Sequence, residues 1–139
     1  MTMQRTNIGS GAPWEAQNGY CRAVRVGPWV HVAGTTAVDG DGHPVGGDAY
    51  MQAKRIFEII ADALERAGSS LCDVVRTRMF VTNIQDKEAV GRAHGEVFRD
   101  IRPAATMVEV SALFEPWMLV EIEADAVVGI DQVGPVALP

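Results

Sequence analysis

Between Asp48 and Ala67, apolar residues recur three and four positions apart: Met51, Ile56, Ile59, Ile60, Ala63, Leu64 and Ala67. That is the period of an α-helix with one apolar stripe. Asp48 stands where it can cap the first turn, and Gly68 where it can stop the last. Such a helix is stable only when a second layer covers its stripe. The rest of the chain has to supply that layer.

The flanking sequence supplies it as strands. "YCRAVRVGPWVHVAG" (20–34) alternates on both sides of Gly27-Pro28, which predicts a hairpin with Val24, Val26, Val30 and Val32 on its apolar side. "DVVRTRMFVTNI" (73–84) sets Val75, Thr77, Met79 and Val81 against Val74, Arg76, Arg78 and Phe80, a further strand. A second helix, capped by Asp86 and ending near Phe98, carries the stripe Val90, Ala93, Val97 and Phe98. Pro103 imposes an extended entry into "ATMVEVSAL", read as a core strand. After the turn "FEPW" comes a last strand in "MLVEIEADAVV" (118–128).

The order β-β-α-β-α-β-β implies an α+β fold, a mixed sheet with two helices packed on one face. Residues 1–139 are read as a single domain, with 131–139 a weakly ordered tail or an arm on a neighbour. The sheet face without helices needs another surface to bury it, and oligomerisation is the expected answer.

A chain of 139 residues buries roughly 70% of the surface it exposes when unfolded, so its core needs no disulfide or metal. An apolar fraction of 47% with 22% charged residues is that of an ordinary globular protein. No apolar run approaches the ~20 residues of a membrane span, and "MTMQRTNIGSG" lacks the apolar segment of a secretion signal. The expected location is cytoplasmic, with no membrane partner, and Cys21 and Cys72 are expected as small buried thiols. A net charge of -6 disfavours nucleic acid as the main partner.

The chain has no phosphate-binding glycine loop, zinc-type Cys/His spacing, nucleophile elbow or metalloprotease helix, so neither cofactor nor metal is expected. "DGDGHPVGG" (39–47) opens like a calcium loop but puts Tyr50 where a bidentate Glu is required. His31, His43 and His94 are scattered over a strand, a loop and the second helix, with no ligand spacing. The last strand is more informative. Leu119, Glu121, Glu123 and Asp125 share one face, and Val120, Ile122, Ala124 and Ala126 the other. Three acids on one face require water or cations beside them. An acid held in a partly buried cleft has a raised pKa, as a general acid or base requires. Arg22, Arg25, Arg76, Arg78 and Arg102 are the candidate cations; a solvated edge face is the alternative.

Together, "YCRAVRVGPWVHVAGTTA", the helix over 48–67, "DVVRTRMFVTNIQD", "RPAATMVEV" and "VEIEADAVV" resemble the Rid family, also called RidA or YjgF and formerly described as endoribonuclease L-PSP or a translation inhibitor. The resemblance runs from about residue 17 to 129. It implies a chorismate-mutase-like α+β fold and a homotrimer with a small-molecule ligand cleft at each subunit interface. It also implies hydrolysis of reactive enamines and imines, such as 2-aminoacrylate, to 2-keto acids and ammonia. In such proteins an Arg in the pattern Pro-Ala-Arg grips the substrate carboxylate through two parallel hydrogen bonds. A Glu on the final strand acts on the attacking water, and a Tyr and a backbone Gly line the pocket.

Carried over residue by residue, the catalytic Glu falls on Glu121, the Tyr on Tyr20 and the Gly on Gly34. The clamp position is Ala105, the next pocket position Met107, and a helix Asn is Gly91. Losing a buried charge-assisted pair commonly costs several kcal/mol, so reduced 2-iminoacid deaminase activity is expected. Arg22, two positions past Tyr20, is one candidate replacement for the clamp; Arg102 is a weaker one, its direction constrained by Pro103 and an ordinary surface arginine the alternative. Trp14 in "PWE" is a candidate pocket roof, with a core anchor as the alternative. Two functions follow: hydrolysis of an enamine, imine or related C–N bond held in some other way, or a non-catalytic binding or regulatory trimer. Endoribonuclease action is disfavoured by the acidic charge and the lack of a His pair for phosphodiester cleavage.

Overall fold

The structure is a computed structural model that describes residues 2–130 and 134–139. Six strands, β1 (Arg5–Ile8), β2 (Ala23–Val26), β3 (Trp29–Thr35), β4 (Val74–Val81), β5 (Ala104–Glu109) and β6 (Val120–Val127), form one sheet in the order β1-β2-β3-β6-β4-β5. Every neighbouring pair is antiparallel except β4 and β5, so the sheet is mixed. The long helices α2 (Ala49–Arg66) and α3 (Lys87–Phe98) pack on one face, with α3 forming the crossover between the parallel strands. A short helix, α1 (Pro13–Asn18), joins β1 to β2. β1 and α1 stand ahead of the first expected strand; at four and six residues they are too short to show a period.

Asp48 caps α2, its carboxylate accepting the Met51 N–H at 2.9 Å. The buried stripe is Ala49, Ala53, Ile56, Phe57, Ile60, Ala63 and Leu64, with Gln52 beside it. Met51, expected in the stripe, is 53% exposed; the stripe turns toward Phe57 instead. Buried Gln52 holds the chain ahead of β6, donating to the Trp117 carbonyl and accepting from the Leu119 N–H, both at 3.0 Å. Arg25 closes the far end of α2 by donating from Nη1 to the Ala67 carbonyl at 2.7 Å, one of the acceptors a helix end leaves unpaired. Asp86 occupies the N-cap position of α3 but makes no capping bond; Asn83 instead caps the preceding 3-10 turn.

Three strand readings change. The two-residue turn pairs Val26 with Trp29 and Ala23 with Val32. Cross-strand partners share a face, so Ala23, Val30 and Val32 are buried together, whereas Val24 and Val26 lie on the other face with His31 and Trp29. The turn, not the valine pattern, sets this register. In β4, an irregularity between Val74 and Arg76 against β6 shifts the alternation by one. Val74 is therefore buried and Val75 is 38% exposed, while Thr77, Met79 and Val81 remain inside. β5 is an exposed edge strand rather than core, with only Met107 partly buried against the interior.

β6 follows its alternation: Val120, Ile122, Ala124 and Ala126 are at most 1% exposed. Cys72 is exposed in a 3-10 turn (Leu71–Asp73) and Cys21 is half-buried, so the two thiols are not core residues. Of the expected tail, 131–133 lie outside the described residues, and 134–139 have no regular structure and are exposed. No described helix is long and apolar enough to cross a membrane.

The exit from α3 carries backbone strain. Arg102 has φ 56, alone among described non-glycine residues in the left-handed region. Its N–H and that of Ile101 both reach the Phe98 carbonyl, at 2.8 and 3.0 Å. Helix endings of this kind usually use Gly, and an L-residue held left-handed costs about 1–2 kcal/mol.

Candidate functional site

Glu121 lies on the sheet face opposite the helices, on β6 beside β3. The pairing of these strands is irregular between Val32 and Thr35, and Gly34 falls in that gap. Glu121 occupies the space a side chain would need there: a Cβ on Gly34 would come within 3.1 Å of Glu121 Cδ. From just ahead of β2, Arg22 reaches across and donates from Nη2 to the Gly34 carbonyl at 2.5 Å. Arg22 Nε is buried with no partner.

Burial lowers the Arg22 pKa, and nearby Tyr20, Glu15 and Glu121 oppose that shift. Burial raises the Glu121 pKa; Arg22 opposes the rise and Glu123 adds to it. The two groups sense one another across Gly34 with no direct ion pair between them. The lower acids of β6 are neutralised differently. Arg78 Nη1 lies 3.2 Å from both Glu123 and Asp125, and His31 Nδ1 is 2.7 Å from Asp125. Of the three β6 acids on that face, Glu121 alone lacks an ion pair among the described residues, which leaves it free to hold or release a proton.

α1 borders this cluster. Glu15 anchors it by accepting the Ser10 N–H at 3.1 Å and the Ser10 hydroxyl. Trp14 is 53% exposed and meets the ring of Phe114, 77% exposed, at a centroid distance of 6.3 Å and an angle of 52°. Tyr20, with Glu15, Cys21, His31, Glu123 and Asp125, lines a groove of about 620 Å³ along the same face. The structure thus places Arg22, Gly34 and Glu121 in one cluster, with Tyr20 and Trp14 on its flank. Phe114 was missed; its only signal was an aromatic residue in the turn "FEPW".

Ala105 and Met107 are not part of this cluster within one protomer. They pair with Thr77 and Met79 and so share the helix face at the sheet edge, whereas Glu121 pairs with Phe80 on the open face. Gly91, on α3, is exposed. His94 packs against the sheet, its Nε2 2.8 Å from Thr77 Oγ1 and its ring edge-on to Phe57; burial lowers its pKa.

Asp39, Asp41 and His43 bring three potential ligand atoms within 4.8 Å of one another in an exposed loop. Asp39 Oδ1, however, already accepts the Asp41 and His43 N–H groups at 2.8 and 2.9 Å, the ordinary closure of an Asp-led turn.

The family model for endoribonuclease L-PSP matches residues 10–128. A crystal structure of a YjgF/YER057c/UK114 family member from Mycobacterium tuberculosis superposes with a TM-score of 0.83 at 48% identity, covering 90% of this chain and all (100%) of that one. A Rid-family protein of unknown function from Yersinia pestis superposes with a TM-score of 0.80 at 31% identity, covering 90% of this chain and 100% of its own. The 3-aminoacrylate deaminase RutC of Acinetobacter baylyi is 34% identical over 108 residues, 77% of this chain and 85% of that protein. The shared sheet order, the two covering helices and the match over most of the chain make this protein a member of the endoribonuclease L-PSP family, the Rid or YjgF family of its sequence resemblance.

Proposed function

We propose that this protein hydrolyses the C–N bond of a small enamine or imine, with Glu121 as the proton-transferring group. The observation that carries this is the Glu121 carboxyl laid over Gly34, half-buried, unpaired and raised in pKa beside Arg22. A protonated Glu121 gives its proton to the enamine carbon, which leaves an iminium and a carboxylate. The carboxylate takes a proton from water as the water oxygen bonds to the iminium carbon. The regained proton then goes to nitrogen. Ammonia departs as the carbonyl forms, and the hydroxyl proton returns to Glu121. The buried Arg22 steadies the carboxylate stage. The deaminase activity of the RutC relative supports the same bond class.

Ala105 and Glu121 stand on opposite faces of one sheet, so one protomer cannot present both to a substrate. We therefore place the cleft between subunits of a homotrimer, with one protomer offering Glu121 and Arg22 and its neighbour offering the β5 edge. Without an arginine at 105, a small 2-imino acid is held weakly there, and turnover is expected to be low.

Release of keto acid from 2-aminoacrylate, supplied by a dehydratase, tests the proposal directly. Glu121→Gln is expected to lower kcat by about 10²–10⁴-fold, the usual contribution of a positioned proton donor. Ala105→Arg is expected to raise kcat/KM. Equal rates in wild type and Glu121→Gln would remove the catalytic reading and leave the non-catalytic binding trimer.

A further inference from the structure

We propose that the cavity at the end of α3 is a binding site for a small carboxylate, gripped between Arg99 and Arg102. This cavity, about 360 Å³, lies on the helix side and is lined by His94, Gly95, Phe98, Arg99, Arg102 and Pro103. Its size suits a small metabolite. Two guanidinium groups stand on its wall and no acid does. Both are exposed, and neither makes an ion pair or a side-chain hydrogen bond with any described residue, as is also true of Arg76 and Arg92, whereas Arg22, Arg25, Arg55, Arg66 and Arg78 each do. The two arginines are three residues apart around the helix end, so two planar forks can converge on one carboxylate, the geometry this side chain serves best. Phe98 and Pro103 supply apolar wall for a short carbon chain.

The backbone adds an independent argument. Arg102 is held at φ 56, a conformation that glycine adopts freely. Nothing in the helix ending requires an arginine there. A general attraction of cations to the carbonyl end of α3 accounts for positive charge nearby, but not for two unpaired guanidinium groups lining one cavity. The floor of the cavity also leads to the clamp position: His94 bonds Thr77, and Thr77 pairs with Ala105. The site is complete within one protomer. Its role as the grip on the substrate's carboxylate, displaced from position 105, rests on the hydrolase reading above.

Binding of 2-oxobutyrate, a stable keto-acid probe, by calorimetry tests the site without turnover. Arg102→Gly and Arg99→Gln are each expected to weaken binding at least tenfold, while Arg102→Gly melts at a higher temperature than wild type because its backbone strain is relieved. Arg99→Gln, away from the strained position, keeps the test decisive if Arg102→Gly misfolds. Unchanged affinity in both variants overturns the proposal, as does binding of inorganic phosphate with none of 2-oxobutyrate. Arginine-dependent binding with no hydrolysis would overturn the catalytic reading and leave this one standing. Hydrolysis indifferent to Arg99 and Arg102 would do the reverse.

Discussion

Glu121 stands over Gly34 closer than an added methyl group comfortably allows, so the smallest side chain tests the arrangement. Gly34→Ala places a methyl group within 3.1 Å of Glu121 Cδ and pushes the carboxyl off its seat. The expected result is a kcat about tenfold lower or worse with the fold retained, as circular dichroism would verify. Burial also gives Glu121 a signature in stability. Its folded pKa lies above its usual 4.5, so the folded chain holds this proton more tightly than the unfolded one. The associated stability is fully present below 4.5 and is lost as pH rises through the shifted value. Glu121→Gln removes that loss. The variant's melting temperature, relative to wild type, should therefore rise between pH 4 and pH 8, and a constant difference would contradict the burial. The alternation of "LVEIEADAV" already placed three acids on one face. It could not say which would be neutralised, because Arg78 and His31 arrive from β4 and β3, distant in sequence.

At the scale of elements, α2 was the easiest to foresee, since its stripe, its cap and its stop are all local. Asp48→Ala is expected to cost about 1 kcal/mol, measured by denaturant unfolding, because the Met51 N–H loses its acceptor. The strands were legible as strands but not in phase. The faces of β2 and β3 depend on the turn register, and that of β4 on an irregularity against β6. The turn register and the pairing with β6 lie outside any window local to those strands. β5 misled for a related reason: an apolar edge strand of a parallel pair has the same composition as a buried one. Likewise, Trp14 was visible as a candidate but its partner Phe114 was not, because their contact joins α1 to the segment between β5 and β6.

For the whole molecule, the open face presents Trp29 at 48% and Val108 at 41% exposure, on the interior strand β3 and the edge strand β5. Apolar groups spread over one face in this way are expected to be covered by other copies of the chain. Val108→Glu should reduce the sedimenting species from three chains to one and abolish turnover with it. An unchanged mass would refute the proposed assembly. Sheet order has a further effect, on synthesis. β6, last in chain order among the described strands of the sheet, lies between β3 and β4. Until it emerges, β1–β3 and β4–β5 are two separate ribbons with the long helices only half covered. Closure of the core therefore waits until β6 has been made, and a nascent chain paused before Val120 exposes the apolar seam into which β6 fits.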